Sequence, residues 1–211
     1  MGLLTVLDYA CSEFQEKKSR FIGHIAPVAN EEEAMDFLSR IRAEHPSARH
    51  NCYAWICGEN DRWQRSSDAG EPAGTAGRPI LEAIKHRDLH NVAIVVTRYF
   101  GGILLGAGGL TRAYSKAAVM AIDCCSLVEK VPAQKLAVTF DYTLLGKMDA
   151  FFMNNGITVE DKVYGSEVCY ICLVETEAVA SLPQALADLS GGNARIQCLE
   201  DNVFRMKAYN E

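Results

Sequence analysis

The chain has 211 residues, of which 49% are apolar and 23% are charged, a balance typical of a folded globular protein and not of a disordered one. Its net charge of −6 argues against a protein whose whole surface binds a polyanion. No apolar run approaches the roughly 18 residues that cross a bilayer, and the first residues lack the pattern of a secretion signal. We therefore expect a cytoplasmic protein with no membrane partner, in which the eight cysteines stay reduced.

The first 130 residues predict strands that alternate with helices. In chain order, the predicted elements are strands over 5–14 and 20–28, a helix that follows Asn30, a strand over 50–57, a helix over 78–87, a strand over 91–97 and a helix over 111–124. Asn30 can cap its helix while Glu33 reaches back to the cap. The segment 58–77 is polar and so long that it is more typical of a functional or disordered loop than of an ordinary connection.

After Pro132 the pattern changes. The predicted elements are a strand over 135–142, a helix capped by Thr143, strands over 157–163 and 167–174, a helix over 181–190 and a strand over 194–199. The order is βαββαβ, which is typical of ferredoxin-like domains. We therefore predict two domains, 1–130 and 131–211.

Neither the cysteines nor the histidines form a recognisable metal or redox motif. Cys169 and Cys172 have the CxxC spacing, but in a strand this spacing directs the two sulfurs to opposite faces. Hydrogen bonding in the core or at the surface is the simplest role for the five histidines. His50 is the best exception because it enters the strand before the polar loop. We predict no metal and no cofactor.

A glycine-rich segment, 99–110, ends where a helix is predicted to begin. Free N–H groups at a helix start favour an anion, and Arg112 and Lys116 add positive charge on one side of that helix. The known phosphate motifs nevertheless fail, since Ala107 and Thr111 stand where they need lysine and glycine. A tight turn explains the glycines equally well. The candidate glycines are Gly101, Gly102, Gly106, Gly108 and Gly109.

The polar segment 65–78 concentrates carboxylates, hydroxyls and arginines. Asp68 and Glu71 can serve as paired acids in acid–base chemistry, or they can form ion pairs that hold the loop in shape. The polar cleft that we predict here contains His50, Ser66, Ser67 and Thr75. Over residues 62–116 the basic residues exceed the acidic ones by about four, which permits a local anion site.

Three long strings of this region are distinctive. They are HNCYAW at 50–55, SSDAGEPAGTAGRPIL at 66–81 and NVAIVVTRYFGGILLGAGGLTRAYSKAA at 91–118. They closely resemble the IMPACT/YigZ family, and residues 131–211 look like the small C-terminal domain of its bacterial members. The resemblance implies an α+β protein. Its N-terminal domain would be a two-layer α/β domain of βαβ type, similar to the second domain of a small-subunit ribosomal protein. Its ferredoxin-like C-terminal domain would be similar to the last domain of elongation factor G.

Because both relatives bind RNA or the ribosome, the resemblance predicts a non-enzymatic cytosolic module that binds RNA or the ribosome and modulates translation. The cations that would face phosphate are Arg65, Arg78, Arg98, Arg112 and Lys116. The acidic domain 131–211 would face a protein partner. The eukaryotic member competes for an activator of a starvation-sensing kinase through an extra N-terminal domain, which we do not expect in this chain.

Two alternatives remain open. A nucleotide- or phosphate-binding enzyme would use the loop 101–109, with Asp68 or Glu71 as a base or cation ligand. The same N-terminal fold is implied for small-molecule kinases of the GHMP type, although their phosphate motif is absent here. A protein–protein interaction module would instead use both glycine-rich loops as a contact surface.

Overall fold

A computed structural model describes residues 2–209, whose contacts divide into two compact units. The N-terminal unit comprises residues 3–129 with 208–209, and the C-terminal unit comprises residue 2 with 130–207. The division falls inside a long strand, Leu127–Phe140. Among the described residues, no helix combines the length and the apolar composition that crossing a bilayer requires.

The N-terminal unit is built on a five-stranded antiparallel sheet. Its elements are β1 (Leu3–Val6), β2 (Ala10–Glu16), β3 (Ser19–Pro27), α1 (Glu31–Glu44), β4 (His50–Cys57), β5 (Trp63–Ser67), α2 (Gly77–His86), β6 (Val92–Tyr99), α3 (Ala107–Asp123) and the first residues of β7 (Leu127–Phe140). The strand order is β2-β3-β6-β4-β5. As predicted, the Asn30 side chain accepts the Glu33 N–H at the start of α1.

Helices cover both faces of this sheet. On one face, α1 packs Phe37 and Leu38 against Trp55 of β4. On the other face, α2 and α3 pack Ile80 and Tyr114 against alternate residues of β4 and β6. The predicted two-layer βαβ domain is therefore wrong: the unit has three layers, and neighbouring strands run antiparallel. The reason is that β4 and β6 are buried along nearly their whole length, so both sides need cover.

Several boundaries differ from the sequence prediction, and two of these differences affect the candidate site. The segment 58–77 contains a 3-10 helix, Glu59–Asp61, and the edge strand β5, so its longest irregular stretch is residues 68–76. Helix α3 begins at Ala107, four residues before the predicted start at Thr111. Gly108 and Gly109 therefore belong to its first turn and not to the loop.

The C-terminal unit has the predicted βαββαβ order, with two extra helical turns, one of which is the 3-10 helix Tyr142–Leu144 before α4. After β7 come α4 (Leu145–Asn154), β8 (Thr158–Tyr164), β9 (Val168–Glu175), the short α5 (Thr176–Val179), α6 (Leu182–Ser190) and β10 (Arg195–Ala208). Strands β10, β7, β9 and β8 lie side by side in that order. Alternate residues of β9 are buried against α4 and α6, where Phe140, Phe152 and Tyr170 form the centre of the core. This unit therefore has two layers.

A buried histidine lies on the sheet face that α1 covers. His24 of β3 is 3% exposed, and its Nδ1 lies 2.9 Å from the hydroxyl oxygen of Tyr9. Its Nε2 is buried without a hydrogen-bond partner, and the ring of His45 lies 5.2 Å away between centroids. Burial, followed by the charges of His45 and Arg40, lowers the pKa of His24 from 6.5 to about 4.

Mild acid should destabilise the protein through His24. Between pH 6.5 and about pH 4 the unfolded chain gains a proton at this residue and the folded chain does not, because the folded pKa is the lower one. The free energy of unfolding should therefore decrease by about 2 kcal/mol between pH 7 and pH 5. Urea unfolding at the two pH values measures this loss.

His24→Gln should remove this part of the loss, since an amide does not titrate. His86→Gln is the matched control, because His86 is an exposed histidine of α2. An equal loss in the two variants would contradict the role assigned to His24.

Candidate anion-binding site

Asp68 holds the polar loop against the start of α2. Its Oδ1 accepts the backbone N–H groups of Ala76 and Gly77 at 2.9 Å each, and its Oδ2 accepts that of Gly74 at 2.8 Å. Burial raises the pKa of Asp68, but the three backbone donors outweigh it and hold the pKa below its ordinary value. The carboxylate thus acts as a helix cap, and both of its oxygens are occupied by the protein itself.

Glu71 forms a buried ion pair with Arg98 of β6. The side chains are 4% and 6% exposed, and Arg98 Nη1 donates to Glu71 Oε1 at 2.7 Å. Tyr114 of α3 donates its hydroxyl to the same oxygen at 2.7 Å. Burial, then Cys52 and Glu71, raise the pKa of Tyr114, so its hydroxyl stays protonated and remains a donor. Of the two roles predicted for the carboxylates, the geometry favours the ion-paired loop.

The two glycine-rich loops meet at this ion pair. Arg98 Nη2 donates to Ser19 Oγ at 3.3 Å, and Ser19 Oγ also accepts the backbone N–H of Gly101 at 3.2 Å. A Cβ on Gly101 would lie 2.0 Å from the Lys18 backbone, so only glycine allows this approach. The two loops are therefore linked through the buried Arg98–Glu71 ion pair, in which the two charges neutralise each other. The prediction that Arg98 faces phosphate is wrong, because its side chain is buried and bound to Glu71.

The residues of the predicted polar cleft mostly satisfy the backbone of their own loop. His50 Nδ1 lies 3.1 Å from the Ala69 carbonyl oxygen, and Ser67 Oγ accepts the Ala69 N–H at 3.2 Å. Thr75 is buried and donates to the Pro72 carbonyl at 2.7 Å. Ser66 is exposed on the edge strand β5. Within residues 2–209, no group of three or more His, Cys, Asp or Glu side chains is placed to hold a metal ion.

Arg65 and Arg78 are exposed, as an anion-binding role requires, but they lie outside the cavity described next. The Arg65 side chain is 57% exposed and lies 3.9 Å from Glu31, with its guanidinium 5.8 Å from the Trp55 ring centroid. Arg78 extends from the first turn of α2. Such exposed cations contribute to a diffuse positive field but do not form a shaped site.

A cavity of about 240 Å³ lies between the β2–β3 turn and the start of α3. Its lining comprises the apolar Phe14, Leu105, Gly109 and Ala113, the cations Lys17, Arg112 and Lys116, and one carboxylate, Glu16. The predicted pair Arg112 and Lys116 is therefore brought together. Lys17 was missed by sequence reasoning, although the Glu16-Lys17-Lys18 turn between two strands was the available signal.

The three cations of this cavity lack acidic partners. Among the described residues, none of the three has a carboxylate oxygen within 4.0 Å. The Lys116 ammonium lies 4.4 Å from the Phe14 ring centroid. Arg112 Nη1 lies 3.6 Å from where a Cβ on Gly108 would be, so the guanidinium lies over the first turn of α3. That turn has neither an acidic residue nor a side-chain cap.

The tip of the glycine-rich loop is apolar. Phe100, Ile103 and Leu104 are exposed, and Leu104 reaches 82%. Gly102 and Gly106 adopt φ values of +84° and +71°, which supports the tight-turn interpretation of these two glycines. The loop therefore presents hydrophobic side chains next to the cationic cavity, since the following residue, Leu105, lines the cavity.

Breaking the buried ion pair should destabilise the N-terminal unit. Arg98→Met leaves Glu71 charged and unpaired in the interior, and the free energy of unfolding should fall by about 3–5 kcal/mol. Glu71→Gln leaves Arg98 unpaired and should also destabilise. The double variant should lose less than the sum of the two single losses, because no unpaired charge remains. Urea unfolding of all four proteins measures the coupling, and strictly additive losses would contradict it.

The chain matches two family models, one in each half. The Impact N-terminal domain matches residues 17–122, and a domain of unknown function (DUF1949) matches residues 138–193. Among eukaryotic relatives, Protein IMPACT of Oryctolagus cuniculus is 38% identical over 96 residues, which are 43% of this chain and 30% of that protein. A crystal structure of a hypothetical protein is similar with a TM-score of 0.62 at 32% identity, covering 95% of this chain and 98% of that one.

Bacterial relatives are similar over nearly the whole chain. IMPACT family member YvyE of Bacillus subtilis is 38% identical over 193 residues, which cover 92% of this chain and 89% of the relative. IMPACT family member YigZ of Escherichia coli is 36% identical over 187 residues, which cover 88% of this chain and 92% of the relative. With a matching domain in each half and relatives of this identity along nearly its full length, the chain belongs to the IMPACT family.

Proposed function

We propose that the N-terminal unit binds RNA in the cytoplasm, free or in the ribosome, and that the protein thereby modulates translation without catalysing a reaction. The observation that carries the proposal is the cavity at the start of α3. Its lining includes Lys17, Arg112 and Lys116, and none of the three has a carboxylate oxygen within 4.0 Å in the part of the chain that the structure describes. Unpaired cations beside a helix N-terminus attract phosphate through charge and through free backbone N–H groups.

The apolar tip adds the second feature of a surface for single-stranded RNA. Such surfaces combine cations that follow the phosphates with aromatic side chains on which bases stack. Phe100 is half exposed, and the Arg98 guanidinium lies 5.5 Å from its ring centroid. We thus assign Arg98 a structural role: its guanidinium lies near the Phe100 ring, and Glu71 neutralises the guanidinium charge.

The enzyme alternative has less support. It requires a carboxylate that is free to act as a base or to hold a cation. Asp68 is occupied by three backbone donors, and Glu71 by Arg98 and Tyr114.

The partner proposed for the C-terminal unit is a protein, because residues 131–211 hold 11 of the 27 acidic residues and 6 of the 21 basic ones. The implied likeness to ribosomal and elongation-factor domains is consistent with action on the ribosome.

Loss of a cavity cation should weaken RNA binding in a salt-dependent way. Lys17→Gln and Arg112→Gln should each lower the affinity for a single-stranded RNA of mixed sequence. Each should also reduce the slope of log K against log salt by about 0.7–1, because one phosphate contact is lost. Lys147→Gln is the matched control, since Lys147 is an exposed lysine of α4 in the other unit. Fluorescence anisotropy over a salt series measures the effect.

Ribosome co-sedimentation tests the second part of the proposal. The unaltered chain should sediment with ribosomes at about 50 mM salt and dissociate as the salt concentration rises. If the chain binds neither RNA nor ribosomes at low salt, the proposed function is wrong.

A further inference from the structure

We propose that the cavity between the β2–β3 turn and α3 binds a terminal phosphomonoester, such as the phosphorylated end of an RNA or a free nucleoside monophosphate. For an RNA ligand, the inference rests on the proposed function and specifies that the phosphorylated end of the RNA enters the cavity. The argument depends on the charge, the size and the lining of the cavity.

Charge favours a doubly ionised group. The lining supplies three cations and one carboxylate, Glu16, so its formal charge is +2 when all four are ionised. A phosphomonoester carries a charge of about −1.5 to −2 near pH 7 and has three acceptor oxygens, whereas an internal phosphodiester carries only −1. The monoester therefore matches both the charge and the number of cationic donors.

Size and shape favour a chain end. At about 240 Å³ the cavity is smaller than the roughly 300–1,000 Å³ of pockets that enclose whole drug-sized ligands, so it holds one small group. Phe14, Leu105 and Ala113 form the apolar part of its wall, and the charged part consists of the three cations and Glu16. A monoester has one attached chain, whereas an internal diester has two, and both would have to leave a cavity that holds one small group.

The cations also repel one another in the absence of an anion. Arg112 and Lys116 are four residues apart on α3, a spacing at which like charges destabilise a helix. The Arg112 guanidinium in addition lies over the positive end of the α3 dipole. No carboxylate of the described residues offsets either cost at close range. A dianion bound between Lys17, Arg112 and Lys116 would offset both.

Two RNA oligonucleotides of one sequence, one with a 5′-phosphate and one with a 5′-hydroxyl, test the inference. The full chain should bind the phosphorylated form more tightly by about tenfold or more, as expected when a charged group gains charge-assisted hydrogen bonds. Arg112→Gln should abolish this preference. Glu16→Gln should increase it, because the substitution removes the one negative charge of the lining. A loss of folding cannot produce these opposite effects.

Competition by adenosine monophosphate, with adenosine as the control, tests a free nucleotide as the source of the group. Competition by adenosine monophosphate but not by adenosine at equal concentration supports a site for the phosphomonoester itself. If RNA binds with no preference between the two ends and adenosine monophosphate does not compete, the inference is wrong while the proposed function stands. If adenosine monophosphate binds in an Arg112-dependent way and neither RNA nor ribosomes bind at low salt, the proposed function is wrong while the phosphomonoester site stands.

Discussion

The buried ion pair between Arg98 and Glu71 fixes the geometry on which the rest of the N-terminal unit depends. It joins β6 to the loop 68–76, and its neighbours Tyr114 and Ser19 extend the contact to α3 and β3. Both charges are desolvated, so each is tolerated only while the other is in place. The loop that carries Glu71 and the loop that follows Arg98 are therefore held in one arrangement.

This arrangement separates the charged residues into two sets with different roles. Both oxygens of Asp68 accept backbone N–H groups, and Glu71 is paired with Arg98 in the interior of the unit. Lys17 and Arg112 lie at the surface of the same unit, and over residues 2–209 neither forms an ion pair. The interior pair thus positions the start of α3, and the exposed cations supply the chemistry there. A net charge counted along the sequence does not distinguish the paired residues of the interior from the cations at the surface.

Local patterns predicted what local forces decide. The strand over 50–57 and the Asn30 cap were found because burial and capping leave short-range signals. The three-layer packing was missed because an apolar strand such as that over 91–97 indicates burial on both faces but not which elements cover them. The edge strand β5 was missed because its residues, WQRSS, are mostly polar and take their structure from pairing with β4.

Sequence composition was also a limited guide to the charge of the candidate site. The window 62–116 predicted an anion site from an excess of basic residues, but Arg98 is cancelled by Glu71, and Arg87 by Asp123 at 2.5 Å. Lys17 contributes from outside the window, because the β2–β3 turn lies against α3. What makes the site is therefore the lack of partners in space and not the composition of a segment. The two sets of cations also act oppositely on stability: the intact Arg98–Glu71 pair avoids the cost of an unpaired buried charge, whereas the like charges of Arg112 and Lys116, four residues apart on α3, repel one another.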